Sequence, residues 1–208
     1  MASCVVLSAY TIEDYDFVMS LISHDDFIIC ADKGYYHAQK MGIKPDLVVG
    51  DFDSLGPINN DDVTMVKHPC DKDETDTIIA IDEGISRGFR DFKLFGVIGG
   101  RLDHTFANIQ TLLYCESKGV YAVLYDNKNI VFIVKDSGVK VKRHDDFHLS
   151  VFSLTPKSVG VTLSNVKYPL NDATVGFDFP IGTSNEITGE YAGVSVKNGT
   201  LLIILSKN

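Results

Sequence analysis

The sequence has no tryptophan, few cysteines and no long apolar run. Without tryptophan, any aromatic stacking on a ligand falls to tyrosine and phenylalanine. The four cysteines, Cys4, Cys30, Cys70 and Cys115, lie 26, 40 and 45 positions apart, with no pair at zinc-binding or redox spacing. As free thiols they behave as small apolar residues and fit a reducing compartment. No apolar stretch reaches the roughly 20 residues of a spanning helix, and no basic segment followed by an apolar run opens the chain. The expectation is a cytoplasmic protein without membrane association. Basic side chains are also short, 19 against 28 acidic, so the formal charge is −9 with histidine neutral. That balance argues against nucleic acid as a partner, because such binding needs a basic footprint.

What remains is an ordinary globular composition, 45% hydrophobic and 23% charged over 208 residues, enough for one large domain or two small ones. The charge is uneven. Residues up to Asp126 carry 21 acids and 10 bases, whereas the rest carry seven acids and nine bases. Eight acids fall between Asp51 and Asp76 against two lysines. Such asymmetry predicts two units with different tasks.

The patterning agrees. Up to Asp126, short apolar runs (Cys4 to Leu7, Phe27 to Cys30, Leu47 to Val49, Val63 to Val66, Lys93 to Val97, Ala122 to Tyr125) alternate with segments of helical period (Tyr15 to Ile22, Tyr35 to Met41, Asp76 to Ile85, Thr105 to Ser117). Runs without internal polar alternation predict strands buried on both faces, and the alternation with helices predicts a mainly parallel, Rossmann-like α/β domain over residues 1–126. In the last of these helices Phe106, Ile109, Leu112 and Leu113 are expected to face inward. Over residues 127–208 the runs are short, broken by Asn, Gly, Pro and Ser, and lack helical period. That rhythm predicts an all-β sandwich.

Three segments carry candidate chemistry. Gly50-Asp51-Phe52-Asp53-Ser54 follows a strand directly, and Asp71-Lys72-Asp73-Glu74-Thr75-Asp76 lies between a strand and a helix that Thr75 or Asp76 can cap. In a parallel sheet the carboxyl ends of the strands border the ligand crevice, so five aspartates would converge there. Clustered carboxylates repel unless a cation neutralises them, and an all-oxygen donor set without His or Cys suits magnesium shared with phosphate. The third segment, Gly96 to His104, holds Gly99-Gly100-Arg101 ahead of a helix. Paired glycines allow close backbone approach, a helix start attracts anions, and Arg101 can grip phosphate oxygens bidentately. Neither G-x-x-x-x-G-K-[ST] nor G-x-G-x-x-G occurs, so metal and Arg101 must handle any polyphosphate. His144 and His148 stand four apart, but among strand-like runs, which disfavours a metal site.

Taken together, Asp46-Leu-Val-Val-Gly-Asp51-Phe-Asp53-Ser54, Asp71-Lys72-Asp73-Glu74-Thr75-Asp76, Gly99-Gly100-Arg101-Leu102-Asp103-His104 with Asn108, and Gly182-Thr183-Ser184-Asn185-Glu186 resemble the thiamine pyrophosphokinase (thiamine diphosphokinase) family over nearly the whole chain. The resemblance implies transfer of pyrophosphate from ATP to the hydroxyl of thiamine, giving thiamine diphosphate and AMP, with Mg2+ required. It further implies an ATP-binding α/β domain, a thiamine-binding β-sandwich, and a homodimer with its sites at the subunit interface. By position, Asp51, Asp53, Asp73 and Asp76 would hold magnesium and polyphosphate, and Arg101 would bind phosphate. Asp103 would orient thiamine, with Ser184 and Asn185 lining its pocket. Asp71, Lys72, Thr75, Gly99, Gly100, His104 and Asn108 match the family's substrate-binding segments. Where some members of the family stack thiamine on a Trp, this chain must use Tyr191, Phe179 or aliphatic packing.

Two rival readings define the alternatives. Strand-Asp51-x-Asp53 also resembles the nucleophile motif of haloacid dehalogenase-like phosphatases, but here it follows two βα units, and Gly-Gly-Arg-x-Asp-His has no role in that chemistry. The other is a non-enzymatic magnesium-nucleotide-binding module.

Overall fold

The computed structural model describes residues 2–50, 63–67 and 75–208. The chain divides into two compact units, Met1–Asn127 and Lys128–Asn208.

In the first unit, strands β1 (Cys4–Leu7), β2 (Phe27–Ala31), β3 (Leu47–Gly50), β4 (Thr64–Lys67), β5 (Asp91–Phe95) and β6 (Tyr121–Tyr125) are joined through helices α1 (Tyr15–Leu21), α2 (Gly34–Met41), α3 (Asp76–Ser86) and α4 (Leu102–Ser117). The strands pair in parallel in the order β4-β3-β2-β1-β5-β6. Every residue of β1 and β3 is buried, because helices cover both faces of the sheet. Val5 and Leu7 of β1 join a cluster with Val18 of α1 and Ala38 of α2. Cys4 points to the opposite face, where a Cβ on Gly84 of α3 would come within 2.9 Å of its sulfur. Successive strands step outward from β1 in one direction, then resume at β5 on its other side. The carboxyl ends of β1 and β5 therefore flank the point where strand order reverses, the usual place for a ligand crevice in such sheets.

Helix starts obey local chemistry. Asp14 Oδ1 accepts the Phe17 N–H (2.9 Å) at α1, and Thr75 Oγ1 accepts the Ile78 N–H (3.3 Å) at α3. The inward face of α4 differs from the expectation: Asn108, Thr111, Leu112 and Cys115 are buried, whereas Phe106 is 59% and Leu113 36% exposed. The helix carries two apolar stripes about a hundred degrees apart, and the one passing through Leu112 packs on β6.

In the second unit all pairing is antiparallel. The order β12-β9-β14-β7 gathers β7 (Asn129–Lys135), β9 (His148–Ser153), β12 (Gly182–Asn185) and β14 (Thr200–Ser206). A separate sheet β11-β10-β13-β8 gathers β8 (Gly138–Lys142), β10 (Lys157–Ser164), β11 (Leu170–Gly176) and β13 (Tyr191–Ser195). β7 and β14 pair along their full length, Leu201 against Val134 and Leu205 against Ile130, and between their polar end residues both are apolar because both of their faces are largely buried there.

Candidate active site

Parallel strands deliver their carboxyl ends to one edge of the sheet, and the side chains there come from four connections. After β1 run Ser8, Ala9 and Tyr10. The Ser8 N–H donates to Phe95 O and the Tyr10 N–H to Gly96 O, both at 2.9 Å, so the chain beyond β1 stays strapped to the chain beyond β5. Ser8 Oγ also lies 3.1 Å from Thr77 Oγ1, which brings the start of α3, with Thr75 and Asp76, beside the end of β1.

Gly50 and Lys67 are register partners at the ends of β3 and β4. Asp51, Asp53, Asp71, Lys72 and Asp73 lie outside the described residues. Among the described residues no group of three His, Cys, Asp or Glu forms a metal cluster. One carboxylate that the motif reading passed over stands at this edge, on Asp32, the first residue after β2. Its φ is +47°, and its N–H donates to Val49 O at 2.8 Å. A left-handed non-glycine residue costs about 1–2 kcal/mol and persists where its surroundings over-determine it. The signal was local: Asp-Lys-Gly straight after an apolar strand. Gly34 is obligatory, since a Cβ there would fall 1.8 Å from Leu7 O.

Beyond β5, Gly99 (φ +103°) and Gly100 (φ +63°) turn the chain into α4. Two α4 side chains fasten this turn. Thr105 Oγ1 accepts the Gly99 N–H at 3.2 Å, and Asn108 Nδ2 donates to Val97 O at 2.8 Å. Asn108 is buried, so its amide positions the loop. Arg101 grips Asp103 bidentately, Nε to Oδ1 at 3.1 Å and Nη2 to Oδ2 at 2.6 Å, and both side chains are well exposed. The Arg101 hydrogen bonds hold the Asp103 carboxyl below its ordinary range, against the opposing effect of desolvation, and the same contact raises the Arg101 pKa. Exposed pairs of this kind contribute little to stability, so a phosphate can take over the guanidinium at small cost. His104 is exposed, its ring edge-on to Tyr10 at 6.0 Å.

In the second unit, Ser184 has φ +55°, and its N–H donates to Ser150 Oγ at 3.0 Å. Asn185 is buried with its amide fully committed: Nδ2 donates to Tyr168 O (2.7 Å), and Oδ1 accepts the N–H of Tyr168 and of Glu186 (3.0 Å each). It thereby fixes the backbone of Tyr168, a residue 62% exposed. Phe179 and Tyr191 are exposed as well. His144 and His148 line a cavity of about 680 Å3 with Arg143, Lys207, Asp146 and Glu186, a lining of mixed charge, and they belong to no metal-holding group among the described residues.

Nucleophilic cysteine chemistry finds no support among the described thiols. Cys4, Cys30 and Cys115 are free and buried, and burial pushes Cys4 and Cys115 up to about 12.

Comparison with known proteins bears on both units. Residues 18–124 match the family model described as thiamin pyrophosphokinase, catalytic domain, and residues 137–201 match thiamin pyrophosphokinase, vitamin B1 binding domain. Thiamine pyrophosphokinase from Bacillus subtilis is 27% identical over 184 residues, 86% of each chain. The crystal structure of a Bacillus subtilis thiamine pyrophosphokinase superposes with a TM-score of 0.91 at 22% identity, covering 99% of both chains. A thiamin pyrophosphokinase family protein from Enterococcus faecalis gives 0.84 at 26% identity, covering both chains fully.

Proposed function

The chain belongs to the thiamin pyrophosphokinase family, and from that premise we propose that it is a thiamine diphosphokinase, transferring pyrophosphate from ATP to thiamine. The observation that carries this reading is that the catalytic-domain match covers the Gly99-Gly100-Arg101 turn at the strand-order reversal, while the B1-binding match falls on the other unit. Neither the phosphatase nor the non-enzymatic alternative finds support in these matches.

In the reaction, the thiamine hydroxyl oxygen attacks the β-phosphorus of ATP. The bond from that phosphorus to the oxygen bridging it to the α-phosphorus breaks, AMP leaves, and a carboxylate at the crevice accepts the hydroxyl proton. A primary alcohol is a poor nucleophile, so the rate must come from in-line positioning and from neutralising polyphosphate charge. Arg101 supplies one cation by exchanging Asp103 for a phosphate oxygen. Asp103, freed of Arg101, is then an anion at the start of α4 to orient the cationic thiazolium. The sulfur- and imidazole-free donor set of Asp51, Asp53, Asp73 and Asp76 fits Mg2+, which would add further positive charge at the polyphosphate when bound. Asp32 and Asp76, the described carboxylates of this edge, are of the same donor type.

On the thiamine side, Ser184 is the exposed polar group, whereas Asn185 acts through Tyr168. Tyr168, whose backbone Asn185 holds, is with Phe179 and Tyr191 an exposed aromatic that could serve where some relatives use Trp. The same reading includes a Rossmann-like first domain, a β-sandwich second domain, a cytoplasmic location and a homodimer. Support for the dimer comes from α4: Leu102, Phe106 and Leu113, spaced at helical intervals, are 82%, 59% and 36% exposed. No helix among the described residues is long and apolar enough to cross a membrane.

The test is incubation with ATP, Mg2+ and thiamine. The expected products are AMP and thiamine diphosphate; ADP, phosphate alone, or no product overturns the proposal. Asp73→Asn is expected to lower turnover by about 100-fold or more with an unchanged melting curve.

A further inference from the structure

The turn that carries Arg101 contributes little to its own rigidity. Its two glycines are both left-handed, and Arg101, the N-cap residue of α4, makes no side-chain cap hydrogen bond. A side chain from the opposite side of the strand-order reversal meets it at three places. The Tyr10 ring occupies the space over Gly100, where a Cβ would come within 2.3 Å of Cε1. The Tyr10 hydroxyl accepts the Arg101 N–H at 3.2 Å and lies 3.4 Å from Arg101 O. The ring then meets His104 edge-on.

Tyr10 is itself held. Its N–H donates to Gly96 O, and its carbonyl accepts the His37 Nε2–H at 2.8 Å. Since Nε2 must carry that proton, Nδ1 of the neutral ring accepts from the Tyr15 hydroxyl, also at 2.8 Å. Desolvation holds the His37 pKa below its ordinary value, which keeps the ring neutral, while the Tyr10 carbonyl selects the tautomer. The chain Tyr15–His37–Tyr10–Arg101 thus links helices α1 and α2 to the turn.

We propose that Tyr10 is a positioning residue for Arg101, fixing its backbone so that the guanidinium meets the polyphosphate of ATP. The inference rests on the ATP reading above. Tyr10→Phe keeps the ring over Gly100 and removes only the hydroxyl contacts.

The decisive measurement is calorimetric binding of a non-hydrolysable ATP analogue with Mg2+ to the full chain, made on the wild type, Tyr10→Phe, Arg101→Ala and the double variant. Tyr10→Phe should weaken binding by about 3- to 10-fold in the wild-type background and have no effect once Arg101 is Ala. In turnover it should raise the KM for ATP by a similar factor and leave the KM for thiamine and the melting temperature unchanged. An unchanged affinity in Tyr10→Phe, or an equal loss in both backgrounds, overturns this inference alone. Failure of the wild type to bind the analogue overturns it together with the ATP reading. Binding without AMP formation overturns only the proposed reaction.

Discussion

Asp26 offers a test of how the first unit is held together, at the sheet edge opposite the candidate site. Its side chain is 2% exposed. Oδ1 accepts the Ser3 N–H (2.8 Å), and Oδ2 accepts the Ser23 N–H (2.9 Å) and Lys93 Nζ (2.8 Å). Lys93 also donates to Leu21 O. One carboxylate therefore ties the entry to β1, the end of α1 and strand β5. Asp26→Asn removes the charge and, in either amide orientation, sets an N–H against a backbone N–H. Breaking a buried pair costs about 3–5 kcal/mol, and the 24% exposure of Lys93 lets its ammonium lean into water, which favours the lower end, about 3 kcal/mol. That corresponds to a fall in melting temperature of about 6–12 °C.

The pH dependence carries the sign. Desolvation pushes the Asp26 pKa up, but the hydrogen bonds from Lys93, Ser23 and Ser3 outweigh it and leave the folded pKa below the ordinary aspartate value. A group depressed in the folded state contributes stability that is fully present above the unfolded pKa, about 3.9, and lost as pH falls through the folded one. Urea denaturation followed by circular dichroism should thus show a constant gap between wild type and Asp26→Asn from about pH 5 to 8, closing below about pH 4. A gap under about 1 kcal/mol at pH 7, or one that persists unchanged at pH 3, refutes the reasoning.

Two further outcomes follow from the geometry. Asn185→Leu strands the N–H and C=O of Tyr168 without partners and should cost about 2 kcal/mol in thermal unfolding while weakening thiamine binding and sparing ATP; a leucine variant as stable as the wild type contradicts the assigned role. Phe106→Glu places a charge in the exposed α4 stripe and should shift the protein from dimer to monomer in sedimentation, an expectation that a monomeric wild type or a still-dimeric variant would sink.

The parallel strands were readable because burial on both faces forces unbroken apolar runs: Cys-Val-Val-Leu and Leu-Val-Val-Gly have no other comfortable environment. Of the four strands at sheet edges, β4 and β8 were readable as short apolar runs, whereas β11 and β12 were not. β12 is Gly-Thr-Ser-Asn, with no apolar residue, and it exists through its pairing with β9. β11 interrupts its apolar residues with Asn171, Asp172 and Thr174, is at least partly exposed except at Val175, and pairs with β10 alone. Helix α4 was legible as a helix but not in its orientation, since two apolar stripes satisfy one period and only tertiary packing selects between them. At the candidate site, residue types were legible and their assignments less so. Asn108 and Asn185 belong to ligand-binding segments by pattern, yet both amides are occupied by backbone partners. An amide and a carbonyl needing partners inside the fold leave no trace in composition. Asp32 escaped for the opposite reason, since one Asp after a strand is common and its left-handed backbone is visible only in three dimensions.

The Gly99-Gly100-Arg101 turn poses a physical problem that the surrounding residues answer. Glycines permit the backbone to come close to a phosphate, but the freedom that permits it would let Arg101 wander, at a large entropic cost to any precise grip. The tethers come from both sides. Thr105 and Asn108 hold the turn to α4, and Tyr10, itself anchored through His37, holds it to the end of β1. With the backbone constrained from two directions, the Arg101 side chain alone need move. On the proposed reading it would trade one exposed oxygen pair, on Asp103, for another, on phosphate, without disturbing the turn, with the backbone ordered in advance.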